Sequence, residues 1–305
     1  MKKLLALVLA VVMMLGIASV AFAETAAAPT SLQAVLDAGV LKVGVDAAFA
    51  PMTFKDAEGN WVGFDVELAT AVAAKLGVAV EFVPVDWANL AGALADGTID
   101  CVWSGMSVTD DRKAVMTVSS AYLASDATIL VHGEVAGFIE DLAGKKIGVQ
   151  AGSFTETLLR DLVPAEDIVL FPDSDAAVAA FTAKVTADAA AEAAEDAEQS
   201  KSAEDAAAEA VQEALDTTET EEAVTVDAVI LDSVYAAYQL ATNEALAECI
   251  TIEDLYEDLF VIGFQKGDYL LCGTIEEILF DLSADGTVGA IAETWFGADI
   301  TLIGK

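Results

Sequence analysis

The chain has 305 residues, of which 51 are acidic and 14 are basic, and its formal net charge at pH 7 is −37. So large an excess of negative charge argues against binding to nucleic acid or to anionic membrane surfaces, because both would repel the protein. The length suffices for two ordinary domains, and an apolar content of 55% supports hydrophobic cores in them.

The first 23 residues have the pattern of a secretory signal peptide. Lys2 and Lys3 precede an apolar run over 4–20, and the small residues of 21–23 form an A-x-A cleavage site. No cysteine lies near that site, which argues against a lipid anchor there, and no later apolar run is long enough to cross a bilayer. We therefore expect a cleaved, exported product, either periplasmic or secreted.

Strand and helix patterns alternate along the rest of the chain. In the first half, the patterns predict strands at 40–46, 78–86, 99–105, 115–119 and 127–132, with helices at 63–77 and 87–97. In the second half, they predict strands at 145–150, 167–171 and 226–232, with helices at 153–163, 173–185, 233–241, 274–286 and 287–297; the apolar segment 258–268 precedes the last two helices. Two series of β-α-β units predict an α/β protein with two lobes, each a mostly parallel sheet flanked by helices.

The segment 184–223 breaks this rhythm. It consists largely of Ala, Glu and Asp, with two lysines against thirteen acidic residues. Alanine and glutamate favour helix, so one interpretation is a solvated helix or helical hairpin inserted into the second lobe. An acidic linker with little order fits the composition equally well. A docking surface for a partner is a third interpretation.

The cysteines do not form a recognisable framework. Their odd number, with one each at Cys101, Cys249 and Cys272, argues against a full set of disulfides. Cys101 lies in a predicted buried strand, whereas a bridge between Cys249 and Cys272 stays open in an exported protein. The sequence has one histidine and no C-x-x-C motif, so we expect no metal site and no cofactor.

Polar residues follow several predicted strands. Ligands of open α/β sheets bind beyond the carboxyl ends of the strands. Asp46 and Asp232 each end a strand, Ser104 lies at the end of the strand at 99–105, and Ser107 follows it. Ser153 begins a helix with the S-x-x-E spacing of a capping box. These residues are candidates for a binding site, although Asp46 and Asp232 can equally serve as helix caps.

Arg112 stands in the first turn of a predicted helix that Thr109 caps. A cation there opposes the helix dipole unless an anion lies close. The guanidinium and the free backbone N–H groups of the turn can together hold one carboxylate. The ordinary alternative is a surface arginine paired with Asp110 or Asp111.

Five segments, taken in order, resemble one family. They are LKVGVDAAFAPMTFKDAEGNWVGFDVELATAVAAKLG, DWANLAGALADGTIDCVWSGMSVTDDR, LAGKKIGVQAGSFTE, VDAVILDSVYAAY and SADGTVGAIAETWFG. They are similar to the polar amino-acid-binding proteins of ABC importers, the family 3 extracellular solute-binding proteins. The resemblance implies a periplasmic-binding-protein-like (type II) fold with two hinge crossings. It also implies an L-amino acid with a polar or cationic side chain as ligand, an ABC transporter permease as partner, and a monomer.

The resemblance covers the mature chain except 184–223 and divides it into lobes. Lobe 1 is expected at 24–124 and 260–305, and lobe 2 at 125–259 with the insertion inside it. The family's hinge crossings fall near Ser125 and near Val261.

The resemblance assigns both charged ends of the ligand. Arg112 matches the arginine that holds the α-carboxylate, helped by the backbone N–H of Ser107. Asp232 matches the acid that holds the α-ammonium, with Ser104 and Gly105 contributing a hydroxyl or a carbonyl. Because Arg112 and Asp232 lie on different lobes, both charges of a zwitterion are satisfied only when the lobes close.

The resemblance also assigns the side-chain pocket. Phe49 and Trp87 match the aromatic pair that flanks the ligand side chain, and Asp46 matches the acid at its far end. On the residues alone, Phe49 and Trp87 can equally be core aromatics.

From lobe 2, Ser153 and Phe154 match a pair of small hydroxylated residues that contact the carboxylate. Phe154 departs from the usual Thr, so it retains only its backbone N–H for this contact. Thr155 replaces a residue that is often longer and polar.

Two other functions fit the same fold. One is a ligand-sensing protein that acts through a separate receptor. The other is a dehydratase-like enzyme, which needs a general acid or base beside the reacting atom. No His, Cys or Lys occurs at the matched cleft positions, so we expect a binding protein and not an enzyme.

Overall fold

The structure, a computed structural model, describes residues 31–133, 139–200 and 224–305. The predicted signal peptide and the second half of the acidic segment lie outside these ranges. Among these residues, no helix combines the length and the hydropathy that a membrane span requires.

The described residues form fourteen strands and nine α-helices. The strands are β1 (Val40–Val45), β2 (Ala48–Phe49), β3 (Thr53–Lys55), β4 (Trp61–Val62), β5 (Ala79–Pro84), β6 (Cys101–Ser107), β7 (Met116–Val118), β8 (Leu123–Ala124), β9 (Ala127–Val131), β10 (Ile147–Gln150), β11 (Ile168–Phe171), β12 (Ala228–Asp232), β13 (Ile250–Tyr256) and β14 (Leu259–Gln265). The helices are α1 (Ser31–Ala38), α2 (Phe64–Leu76), α3 (Leu90–Ala95), α4 (Asp110–Val115), α5 (Phe154–Leu162), α6 (Ser174–Ser200), α7 (Ser233–Thr242), α8 (Tyr269–Ala284) and α9 (Thr287–Phe296).

Two sheets carry the two lobes, and the predicted α/β fold is confirmed. The first sheet has six strands in the order β5-β1-β6-β14-β7, with β8 also pairing with β14. The second has five strands in the order β11-β10-β12-β9-β13. In each sheet three neighbouring strands are parallel, and β14 and β9 join them antiparallel. Both antiparallel strands enter their sheet from the other one: β9 follows β8 of the first sheet, and β14 follows β13 of the second.

The chain crosses between the sheets at two adjacent places. The first crossing is at Ser125 and Asp126, and the second is at Glu257 and Asp258. The backbone N–H of Ser125 donates to the carbonyl of Asp258 at 3.0 Å, so the crossings are tied to each other. The second crossing therefore lies before Val261, which is inside β14.

Helix α2 shows how local sequence builds the first lobe. Phe64, Leu68 and Val72 recur every fourth residue, and all three are fully buried. Such spacing places them on one helix face, which packs against the sheet. Gly77 ends the helix in the left-handed conformation, with φ of 77°, where a residue without Cβ is unstrained.

The acidic segment continues a lobe 2 helix. Helix α6 has 27 residues. Its first turns bury Ala177, Val178 and Phe181, whereas residues 189–194 are all exposed. The helical interpretation is therefore correct for 184–200, and the rest of the segment lies outside the described residues.

Some elements were not predicted. They are α1, the small antiparallel sheet β2-β3-β4, β8 and β13. Strands of two or three residues are too short to show the alternation on which a sequence prediction depends. Helix α8 begins at Tyr269 rather than at 274, and the helix expected at 87–97 is divided into a 3₁₀ turn (Trp87–Asn89) and α3. All three cysteines are free, so the Cys249–Cys272 bridge is not formed.

Candidate functional site

A cavity lies between the two lobes. It collects nine of the ten candidate residues from six short stretches of the chain, at 46–49, 87, 105–107, 112, 153–154 and 232. Its lining consists of Asp46, Phe49, Trp87, Gly105, Ser107, Arg112, Gln150, Ser153, Phe154, Thr155 and Asp232. Ser104 is the candidate that does not line it. No group of His, Cys, Asp and Glu that could hold a metal ion occurs among the residues that the structure describes.

Ser104 lies behind the cavity wall and is fully buried. Its hydroxyl accepts a hydrogen bond from the backbone N–H of Asp46 at 3.0 Å and also contacts the hydroxyl of Thr53. Thr53 in turn donates to the carbonyl of Asp46 at 2.8 Å. The side chain of Ser104 therefore fixes the end of β1 instead of facing the cavity.

Gly105 allows an aromatic ring to reach the cavity. Its φ is 56°, and a Cβ at this position would lie 2.4 Å from the ring of Phe49. Only glycine satisfies both the backbone conformation and the close approach. Its N–H donates to Asp65 at 2.8 Å and to the hydroxyl of Tyr122 at 3.1 Å, which fixes this peptide from behind.

Helix α4, which carries Arg112, is only six residues long. The hydroxyl of Thr109 accepts a hydrogen bond from the N–H of Arg112 at 3.1 Å, so the predicted cap is confirmed. In so short a helix Arg112 is in the first turn and also near the last one. A helix of this length has a weak dipole, so the cation of Arg112 near its start is less unfavourable than the sequence alone suggests.

The guanidinium of Arg112 turns into the cleft. Its Nη1 donates to the carbonyl of Ser107 at 2.8 Å, and its Cζ lies 5.2 Å from the centroid of the Trp87 ring. Asp110 pairs instead with Lys113, at 3.3 Å. Arg112 is therefore held by a backbone carbonyl and by an aromatic face, which leaves its remaining N–H groups free to bind an anion.

Two acids act on Arg112 electrostatically. The pKa of Asp232 is raised to about 8, first by burial and then by the charge of Asp258, while Arg112 opposes the rise. Burial also raises the pKa of Asp258 to about 6, against a hydrogen bond from the side chain of Ser107. The pKa of Arg112 is lowered by burial, and both carboxylates oppose that change. The cleft thus places one cation opposite acids that hold their protons more tightly than usual.

Asp46 connects the two lobes. Its Oδ1 accepts the N–H of Ala48 at 2.9 Å, and its Oδ2 accepts the indole N–H of Trp87 at 2.8 Å. The same Oδ2 accepts the amide N–H of Gln150, from lobe 2, at 2.7 Å. Stacking of Phe49 on Tyr235, with ring centroids 5.6 Å apart, gives a second contact between the lobes.

Gln150 was not predicted, although the sequence contained the signal. It is the last residue of β10, so it lies at a strand end as Asp46 and Asp232 do. The same rule would have found it if amides had been considered together with acids and hydroxyls.

The start of α5 forms the lobe 2 wall. The predicted cap by Ser153 is present, but the capping box is not standard, because Glu156 reaches Gly152 and not the N–H of Ser153. The hydroxyl of Ser153 accepts the N–H of Glu156 at 3.0 Å, and Glu156 accepts the N–H of Gly152 at 2.6 Å. The same hydroxyl donates to the carbonyl of Gln150 at 2.8 Å. Because its proton is already used, Ser153 contributes mainly by shaping the turn.

Comparison with known proteins gives consistent matches. Residues 41–298 match the family described as "Bacterial extracellular solute-binding proteins, family 3". Over 301 residues the chain is 27% identical to the L-cystine-binding protein TcyJ of Escherichia coli K12, which covers 96% of this chain and 95% of TcyJ. Over 163 residues it is 31% identical to the cyclohexadienyl dehydratase of Pseudomonas aeruginosa, covering 52% of this chain and 62% of that enzyme.

Solved structures also align with most of this chain. The ABC uptake transporter substrate binding protein from Streptococcus pneumoniae, with bound histidine, aligns with a TM-score of 0.67 and 26% identity. The alignment covers 88% of this chain and 97% of that one. The family match and the structural alignment each take in most of both lobes.

Proposed function

Because this chain belongs to the bacterial extracellular solute-binding proteins of family 3, we propose that it captures an L-amino acid with a polar or cationic side chain between its lobes. It then delivers the amino acid to the permease of an ABC transporter. The proposed location is the periplasm or the exterior of the cell, after removal of residues 1–23.

The single observation that carries this proposal is the pairing of opposite charges across one cavity. Arg112 lines it from lobe 1 and Asp232 lines it from lobe 2. A free amino acid has a carboxylate for the first and an ammonium for the second. Both groups sit in a cleft between lobes, where charge-assisted hydrogen bonds are stronger than at an exposed surface.

The remaining lining residues have matching roles. Ser107 and Phe154 offer backbone N–H groups to the carboxylate, and Gly105 offers its carbonyl to the ammonium. Trp87 and Phe49 flank the ligand side chain, and Asp46 lies at its far end. Ser104 and Ser153 act indirectly, since their hydroxyls are engaged within their own lobes.

Closure follows from this division of charges. We place the lobe boundaries and the hinge at the two tied crossings, so lobe 2 ends at Asp258, one residue before the expected 259, and lobe 1 resumes with β14. A ligand that contacts both lobes stabilises the closed arrangement by its differential affinity for that state. A membrane permease can then recognise the closed form.

A dehydratase is the second candidate, because one relative is an enzyme of that kind. The observation that favours it is the raised pKa of Asp232, about 8, since a protonated carboxyl at neutral pH can act as a general acid. Against it, no His, Cys or Lys is among the described residues that line the cavity. Mass spectrometry of the ligand after prolonged incubation separates the two, because a binding protein returns it unchanged.

Thermal shift with the twenty amino acids and cystine tests the proposal. A true ligand at about 100 times its Kd adds about 2.7 kcal/mol to the free energy of unfolding. We expect polar or cationic L-amino acids to raise the Tm. Their N-acetyl and α-amide derivatives, which remove the ammonium or the carboxylate charge, should not. If no amino acid raises the Tm at millimolar concentration, the proposal is wrong.

A further inference from the structure

We propose that Gln150 is a specificity-determining residue, which selects against ligands whose side chain ends in a cation by occupying Asp46. The inference rests on the proposed function and narrows its ligand class. It is carried by the hydrogen bond across the cleft between Gln150 of lobe 2 and Asp46 of lobe 1, at 2.7 Å.

The acceptor capacity of Asp46 is largely used. Each carboxylate oxygen has two lone-pair directions, and Oδ2 already receives the indole of Trp87 and the amide of Gln150. Oδ1 receives the N–H of Ala48. One acceptor direction therefore remains for a ligand. A guanidinium or an ammonium has several donors, so it makes only one hydrogen bond to Asp46 unless it displaces the indole or the amide.

The Gln150 amide is held in one orientation. Its Oε1 accepts the hydroxyl of Ser174, the first residue of α6, at 3.1 Å. Turning the amide over would direct Oε1 towards the Asp46 carboxylate and lose both hydrogen bonds. Gln150 and Ser174 are both buried, so water compensates little for such a loss.

The Gln150 amide is neutral, whereas the side chain of a ligand such as arginine is cationic. This difference in charge decides which ligand side chains are disfavoured. The amide bonds Asp46 across the cleft, so a cationic side chain that takes the same oxygen must break this bond between the lobes. An uncharged ligand side chain keeps this bond between the lobes, whereas a cationic one competes with it. The chain is therefore expected to bind its best uncharged amino acid more tightly than arginine.

Isothermal titration of the exported chain tests this inference. The probes are arginine and the best-bound uncharged amino acid of the thermal-shift panel, and the proteins are wild type, Gln150→Leu and Gln33→Leu. Gln33 is an exposed residue of α1 whose amide donates to Asp37 at 2.7 Å, and it does not line the cavity, so it controls for a Gln→Leu change away from the site. In Gln150→Leu the ratio of the arginine Kd to the uncharged Kd should fall about tenfold, the worth of one hydrogen bond to a charged group. In Gln33→Leu it should stay at the wild-type value.

Ser174→Ala provides a second variant if Gln150→Leu does not fold. It removes the anchor of the amide but keeps the amide itself, so the ratio should fall in the same direction by a smaller factor. The inference is overturned if wild type prefers arginine, or if the variants that fold leave the ratio unchanged. Neither result affects the proposed function, which fails only if wild type binds no amino acid.

Discussion

The two lobes prepare their charged groups differently. In lobe 1, Arg112 is fixed by the carbonyl of Ser107 and by the face of Trp87. In lobe 2, Asp232 occupies the position before α7 but makes no side-chain capping bond there. Lobe 1 thus presents a permanent cation in a prepared position. Lobe 2 presents an acid whose protonation depends on the charge beside it.

This difference predicts that the two ends of a ligand respond differently to mutation and to pH. An arginine stays protonated at any physiological pH, even where burial lowers its pKa. An aspartate with a pKa of about 8 changes its charge within the working range of the protein. The carboxylate end should therefore set the affinity, and the ammonium end should set its pH dependence.

Removing the lobe 1 cation should have the largest effect. Arg112→Ala leaves the ligand carboxylate enclosed without a partner, a loss of about 4 kcal/mol or a thousandfold in Kd. Arg112→Lys keeps the charge but loses the planar fork and the stacking on Trp87, so its loss should be smaller. Isothermal titration gives both values. An affinity for Arg112→Ala within tenfold of wild type would mean that Arg112 does not hold the carboxylate.

Removing the lobe 2 acid should have the next largest effect. Asp232→Asn keeps the shape of the side chain and loses its charge, which should weaken binding by about 3 kcal/mol or a hundredfold. The matched control is a ligand analogue without the α-amino group. It should bind wild type and the variant about equally, because it has no ammonium for Asp232. A hundredfold difference that persists with the analogue would show that Asp232 acts on structure, not on the ammonium.

The affinity of wild type should depend on pH through Asp232. The ammonium binds the ionised carboxylate, whose pKa is about 8 before an ammonium lies beside it. Affinity should therefore rise with pH, about tenfold per unit below pH 7, and level off above the pKa. Titrations from pH 6 to pH 9 measure this slope. Asp232→Asn should show a flat profile, and an equal slope in both proteins would assign the titration to another group, such as Asp258.

The stability of the ligand-free protein should change in the opposite direction. The pKa of Asp232 is raised from 3.8 to about 8 in the folded state, so folded protein holds this proton when unfolded chain has lost it. Its contribution to the free energy of unfolding is complete below about pH 4 and decreases as pH rises towards 8. Urea unfolding of wild type and Asp232→Asn at several pH values isolates it. Wild type should lose stability relative to the variant as pH rises.

How much of this site the sequence could predict varies with the residue. Ligands of open α/β sheets bind beyond strand ends and near helix starts, and such positions can be recognised in the sequence. This reasoning identifies Asp46, Arg112 and Asp232. The orientation of Ser104 could not be found that way. All seven residues of β6 are buried, so no alternation distinguishes the face towards the cavity from the face towards the core.

Asp258 was missed for a different reason. It lies in the short connection between β13 and β14, where no periodic pattern exists. It comes near Arg112 and Ser107 only because the chain returns from lobe 2 at that point. Contacts that depend on how two distant segments cross need the folded chain. In this cleft, the electrostatic interaction of Asp258 with Arg112 depends on such a crossing.

The smallest predicted effect compares the two helix caps at the cleft. Ser153→Ala and Thr109→Ala each remove a hydroxyl that accepts a first-turn N–H, so each should cost about 1 kcal/mol of stability. Only the cap at Thr109 fixes the helix that carries Arg112. Thr109→Ala should therefore also weaken ligand binding by a few fold, whereas Ser153→Ala should leave Kd nearly unchanged. Urea unfolding and titration of both variants measure the two effects separately. If Ser153→Ala instead lost tenfold in affinity, its hydroxyl would contact the ligand, and lobe 2 would hold the carboxylate more directly than its hydrogen bonds indicate.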